Sequence, residues 1–373
     1  MLSEYLIMSN TPDITIIGGG IMGLLTAREC RLAGASVTVI DKHQLGQESS
    51  WAGGGILLPI YPWRQHEAIT QLVMQSLKLY PALIDAIHNT SQIDPEFVQS
   101  GMLICKNPDY ADAIAWCENN SISFKNPPKA LCDSLNSELN NPLWLPEIRQ
   151  VRNPRLLKAV QKDLRRQGVH FITQSELLNL HIQQQRVESM TTSTGHYPVA
   201  QIILTTGAWT GQLWQQFFPT TEMAPTKIQP IKGQMLLFDA KPDTLTTMVL
   251  DDAHYLIPRL DGKILAGSTV EQSDFNKTTD PETKTKLTDF ARRLLPALNA
   301  FPVIAHWAGL RPGTEHGIPY IAQHPTLKNL SINAGHFRNG LTMAPASAPL
   351  LVDLLLKRTP KIAPEPYQFN SLH

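Results

Sequence analysis

Neither sign of charge is in excess in this chain. Its 32 Lys and Arg residues stand against 32 Asp and Glu, for a formal net charge of zero. That balance gives no basic field to gather nucleic acid, and no run of like charge stands out. Cysteine is scarce as well. Cys30, Cys105, Cys117 and Cys132 show no C-x-x-C spacing and no paired-histidine pattern, which argues against a zinc ribbon or a disulfide framework and reads as isolated reduced thiols in a cytoplasmic protein. Long apolar runs are missing, with none approaching the ~18 residues that a membrane span needs. Residues 1–10 lack the basic start and the apolar length of a signal peptide, and Met8 offers a second start. There is no internal repeat. The 373 residues suit two domains, or one large domain with an insertion, and supply ample core.

Against that plain background one stretch is specific. Four apolar or β-branched residues, Ile14–Ile17, read as a short buried strand, and Gly18, Gly20 and Gly23 then form G-x-G-x-x-G at the opening of a helix. Each glycine has a mechanical role. Gly18 allows a tight turn, Gly20 lets backbone approach a pyrophosphate, and Gly23 lets the helix pack on the strand. The helix N-terminus turns free N–H groups toward the phosphates, at Ile21 and Met22. A second strand, 36–40, closes on Asp41, followed by Lys42. The acid sits where it can accept from an adenosine ribose, which favours NAD or FAD over NADP. A Gly-rich turn in an ordinary βαβ unit is the plain alternative.

A second glycine-rich stretch follows. Ser49, Ser50, Trp51, Ala52, Gly53, Gly54, Gly55 and Ile56 combine hydroxyls with bare backbone. This suits a phosphate or polyol chain beside a flat ring, although a flexible turn before a strand would read similarly.

The two stretches together resemble the D-amino-acid-oxidase-like flavoenzymes, and within them the glycine-oxidising branch tied to thiamine biosynthesis. The resemblance covers residues 14–356 and implies a fold of α/β class, α+β overall. A discontinuous Rossmann-like FAD-binding domain (10–89, 151–220 and 304–365) would carry an inserted antiparallel-sheet substrate domain (90–150 and 221–303). FAD would be bound non-covalently, because residues 309–341 hold no cysteine. Ser49 and Ser50 would lie near pyrophosphate and ribitol, and residues 52–56 would run past the isoalloxazine. Leu177 would contact adenine. Thr206, Gly207 and Trp209 would form a second glycine approach to the cofactor.

The remaining elements follow from periodicity. Residues 67–88 repeat apolar positions at helical spacing, with a break or kink expected at Pro81. Residues 97–105 read as a strand pair about Ser100-Gly101, and 110–120 as a short helix. Residues 125–146 read as irregular connections. Residues 151–168 read as a helix with Asn153 as N-cap and Pro154 in its first turn. Residues 169–172 and 201–205 read as strands; the character changes at Thr226, and 228–238 read as antiparallel strand. Residues 254–259 and 263–268 read as a hairpin about Asp261-Gly262, and 287–298 as a helix. A helix over 346–356 precedes a loose tail after Thr359.

Three residues in the last third carry the expected chemistry. Tyr255, Arg311 in Leu310-Arg311-Pro312-Gly313-Thr314, and Arg338 in Gly335-His336-Phe337-Arg338-Asn339-Gly340-Leu341-Thr342 match the family's motifs. Arginine is the residue of choice for a bidentate carboxylate clamp. By resemblance Arg311 binds the substrate carboxylate from a loop, Tyr255 assists, and Arg338 lies at the mouth. Val270 is a candidate wall of the pocket. Strand alternation sends His254 to the face opposite Tyr255. The run from His336 to Thr342, at a helix start, would offer backbone N–H groups to the flavin pyrimidine. The implied reaction takes glycine and molecular oxygen to glyoxylate, ammonia and peroxide. A homo-oligomer and a thiazole synthase partner are implied with it. A sarcosine, D-amino acid or cyclic imino acid substrate, a quinone acceptor, a flavin- or NAD-binding protein without catalysis, and an NAD-dependent dehydrogenase are the alternatives.

Overall fold

The structure, a computed structural model, describes residues 11–219 and 227–371. The reading of residues 1–10 and the boundary placed at 220/221 lie outside the described residues. Two sheets organise the chain. The first has six strands in the order Tyr320–Gln323, Leu330–Ala334, Ile202–Leu204, Ile14–Ile17, Val37–Ile40, His170–Ile172, all parallel except the first pair. Ile14–Ile17 lies at the centre, where successive connections depart to either side, and this is where α/β sheets bind ligands. The β-branched run explains the strand, and alternation explains the layers. Ile16 packs with the helices Ile21–Leu32, Asn153–Arg166 and Gly340–Leu355, while Ile17 packs toward Trp214 and a three-stranded antiparallel sheet spanning residues 177–198. That small sheet is absent from the sequence-based expectations.

The second sheet has eight strands. Its long central strand Gln229–Phe238 pairs on one side with Val303–Gly313 and on the other with Ile264–Gly267 and Glu271–Gln272. The sheet continues through His254–Pro258, Met248–Asp251, Met102–Ile104 and Leu143–Leu145. Its outer face buries Leu236, Phe238, Leu256 and Ala266 against the helix Pro281–Leu294. Asp280 caps that helix, accepting from the N–H groups of Glu282 and Thr283.

Several expectations change. The helix Glu67–Ser91 runs through Pro81 without a break. Val98–Gln99 and Met102–Ile104 do not pair with each other but with separate partners. Residues 125–146 contain the helix Lys129–Ser134 and the strand Leu143–Leu145. Arg152 is the N-cap of Asn153–Arg166, and Asn153 is its first residue. The last long helix begins at Gly340, earlier than the expected 346. The tail is packed: Tyr367 is fully buried and donates to Ala68 O at 2.8 Å. Residues 303–313 pair into the eight-stranded sheet, whereas the expected division at 304 gave 304–313 to the nucleotide-binding part. Among the described residues no helix is long and apolar enough to cross a membrane.

Candidate active site

A cleft of about 490 Å³ runs between the two sheets, within the range of cofactor pockets. One wall is the C-terminal edge of the parallel strands. Gly18 turns at φ 105°, in the left-handed region. A Cβ on Gly23 would fall 1.9 Å from Gly18 O, so the helix packs onto the turn as the spacing predicts. Gly18, Gly20, Ile21 and Met22 line the cleft, while Gly23 lies behind them. The Ser50 hydroxyl accepts from Ile21 N–H at 2.9 Å. Asp41 also reaches the cleft, with Oδ2 accepting from Gly19 N–H at 2.6 Å and Oδ1 from His43 N–H at 2.7 Å. Burial raises its carboxyl above the ordinary value, against the pull of those two amides. Lys42 Nζ lies 4.0 Å from the centroid of the Trp209 ring, a cation–π contact at the cleft edge.

The expected residues from the other segments gather here. Ser49, Ala52, Gly53, Gly54, Gly55 and Ile56 line one side; Leu177, Thr206 and Gly207 line another. His336, Phe337, Asn339, Gly340, Leu341 and Thr342 close the end. His336 is buried against Ser347 Oγ at 3.0 Å, and burial pushes its imidazole down to about 3, so it is neutral. The helix Gly340–Leu355 opens on the cleft with no side-chain cap, as does Ile21–Leu32. Ile21 N–H, expected to be free, is taken by Ser50 Oγ, and the remaining first-turn N–H groups of the two helices are left for a ligand.

The opposite wall is the inner face of the eight-stranded sheet, and register decides what it presents. Tyr255 pairs with Gly267, Gly267 with Met235, and Met235 with Trp307. Two and four positions along, Gly233 pairs with Gly309 and Ile231 with Arg311. Side chains in such rows share a face. Arg311 therefore projects into the cleft from a strand, not from the loop that its Pro and Gly neighbours suggested. Its Nη2 donates to Ser268 Oγ at 2.8 Å and its Nη1 to Thr269 O at 3.0 Å. All its acceptors are neutral, and no carboxylate lies within ion-pair distance among the described residues. Burial lowers its affinity for the proton, while Tyr255 beside it works the other way. Tyr255 donates to Met235 Sδ at 3.4 Å. Arg338 lines the same cleft, is exposed, and has no ion pair among the described residues. His254 faces away and packs on Phe290, as alternation predicts. Val270 is 53% exposed and does not line the cleft, because the strand carrying Gly267 has already ended.

Gly233, Met235, Asn153 and Gln65 also line the cleft, and sequence reasoning missed them. An isolated glycine inside a strand is the one signal that points to Gly233.

The donor set fits a dinucleotide with a flat ring. Asn153 Oδ1 is buried without a partner among the described residues, and a Cβ on Gly55 would fall 2.6 Å from it. Bare glycine backbone, two helix N-termini, the Asp41 carboxylate and two arginines, Arg311 and Arg338, without ion pairs among the described residues share one continuous space.

Comparison with known proteins agrees. Residues 13–354 match the FAD dependent oxidoreductase family DAO, and the chain belongs to that family. It is 39% identical to a glycine oxidase of Pseudomonas aeruginosa over 95% of this chain and 97% of that one. It is also 28% identical to a bifunctional ThiO/ThiG protein of Synechocystis, covering 97% of this chain but 54% of that protein. Among solved structures, glycine oxidase from Geobacillus kaustophilus superposes with a TM-score of 0.89 at 23% identity, over 97% of this chain and 99% of that one. L-proline dehydrogenase from P. horikoshii gives 0.86 at 22%, over 98% and 100%; at these identities the likeness is one of fold.

Proposed function

We propose that the chain is a glycine oxidase. Glycine, oxygen and water would yield glyoxylate, ammonia and hydrogen peroxide through an imine that water hydrolyses. The observation that carries this reading is Arg311, a half-buried guanidinium aimed into the cleft and, among the described residues, hydrogen-bonded only to neutral oxygens. A cation held this way is completed by a carboxylate ligand. Arg311 binds that carboxylate, the Tyr255 phenol supports it, and Arg338 at the mouth favours entry of an anion. Gly18, Gly20, Asp41, the Ser49–Ile56 region and the start of the helix at Gly340 hold FAD. The flavin, when bound, supplies the two-electron chemistry and passes the electrons to oxygen. The protein supplies orientation and a closed, polar-lined space. No side chain is assigned as acid or base.

FAD is held non-covalently in this reading, a reading supported by the absence of cysteine from the cleft lining among the described residues. The likeness to a ThiO/ThiG protein supports a role in supplying thiazole synthesis with the imine, with thiazole synthase as partner. A homo-oligomeric, cytoplasmic protein completes the proposal. The test is anaerobic: glycine, sarcosine, D-alanine and D-proline are added separately to the yellow protein. Bleaching by glycine, with recovery and peroxide on admitting air, is expected. Bleaching without recovery identifies a dehydrogenase, and bleaching only by a bulkier amine moves the substrate.

A further inference from the structure

The cleft-lining segment from Ser50 to Ile56 is held by four side chains drawn from distant parts of the chain. Asn153 Nδ2 donates to Ser50 O at 2.8 Å, and Trp307 Nε1 to Ala52 O at 3.1 Å. Arg259 Nη2 donates to Gly54 O at 2.8 Å, and Thr342 Oγ1 to Ile56 O at 3.1 Å. The donors lie 103 to 286 residues away in sequence, so the tertiary fold and not a local turn sets this conformation. The Gly55 carbonyl is taken too, by Val151 N–H at 2.9 Å. The amides differ. Among the described residues, the N–H groups of Gly54, Gly55 and Ile56 donate to nothing. At Gly54, Gly55 and Ile56 the carbonyls are satisfied and the amides are free among the described residues, so this stretch of backbone turns donors toward a ligand. Arg259 is itself buried at 9% exposure, and its other bonds, to Gln150 Oε1 at 2.6 Å and Val151 O at 3.0 Å, are also to neutral acceptors.

We infer that Asn153, Trp307, Arg259 and Thr342 are positioning residues for the cofactor: they fix the segment so that Gly54, Gly55 and Ile56 present their amides, and Arg259 adds a buried positive charge behind it. The inference rests on the assignment of FAD to this cleft. A reduced flavin carries negative charge, which preset donors and a fixed cation stabilise without reorganising. The four tethers are formed when the chain folds, so ordering this segment does not weaken cofactor binding.

The test uses three variants of the full chain, stripped of flavin and titrated with FAD by fluorescence quenching. Thr342→Val is isosteric. Trp307→Phe keeps the edge contact with Trp51, whose ring lies 5.6 Å away. Arg259→Met keeps length and loses charge. Each of the first two is expected to raise the FAD dissociation constant about three- to tenfold, one hydrogen bond's worth, with the unfolding temperature of the apoprotein little changed. Arg259→Met is expected to exceed tenfold and, at saturating FAD, to move the flavin reduction potential negative, with Arg259→Lys restoring it. If Arg259→Met does not fold, the first two variants decide. Variants that bind FAD as the unaltered chain does, with the same potential, overturn the inference. Failure of the unaltered chain to bind FAD overturns the cofactor assignment and the inference with it.

Discussion

Arg311 lies directly over Gly233. A methyl group placed on Gly233 would fall 2.3 Å from both Nη1 and Nη2 of the guanidinium. The clamp therefore exists because the neighbouring strand has no side chain at Gly233, two positions along from Ile231, which pairs with Arg311. Gly233→Ala must displace Arg311 or bend the strand, at a cost of about 1–3 kcal/mol. The expected result is a KM for glycine raised about tenfold or more, with FAD affinity unchanged, measured by steady-state peroxide release and flavin titration.

Removing the clamp itself has a larger effect. Arg311→Lys keeps charge but not the forked geometry, and Arg311→Leu keeps neither. Losing one partner of a buried charge pair costs about 2–5 kcal/mol. Arg311→Leu is therefore expected to lower kcat/KM for glycine roughly 30- to 4,000-fold, with the lysine variant between.

Tyr255 contributes one phenol. Tyr255→Phe keeps the ring against Met235 and removes a hydrogen bond worth about 0.5–1.5 kcal/mol, so kcat/KM should fall about two- to twelvefold. A larger loss would show that the phenol does more than assist Arg311.

Two buried imidazoles set an acid limit on stability. Burial pushes His324 down to about 4 and His336 down to about 3, below the ~6.5 of an unfolded histidine. Between those values the unfolded chain binds protons that the folded chain refuses, so stability falls as pH drops below about 6.5. At pH 5 each costs about 2 kcal/mol. The unfolding temperature should fall between pH 7.5 and 5, and His324→Gln should flatten that slope.

Non-covalent attachment predicts that acid precipitation leaves all flavin in the supernatant. Yellow pellet protein would contradict it.

What was legible in the sequence was local. The glycine fingerprint, its flanking strand and helix, and the alternation that separates His254 from Tyr255 depend on neighbours a few residues apart. Register across strands was not legible. Gly233 meets Arg311, and Met235 meets Tyr255, only once residues 229–238 are zipped to 303–313 and 264–267. The same limit hid Arg259, whose partner Gly54 lies 205 residues away, and placed Arg311 on a loop because its Pro and Gly neighbours read as breakers. Pro81 failed as a breaker because tertiary packing overrides local propensity: Tyr80 beside it is buried and donates to Leu341 O at 2.5 Å. Packing likewise ordered the tail through Tyr367.

The central claim is that Arg311 recognises the carboxylate of the amine that reduces the flavin. The most direct test is anaerobic titration of the unaltered protein and Arg311→Leu with glycine, following loss of the oxidised flavin absorbance. The unaltered protein is expected to bleach at low glycine, and the half-bleaching concentration to rise at least 30-fold in a variant that still binds FAD. Equal bleaching curves for the two would contradict it.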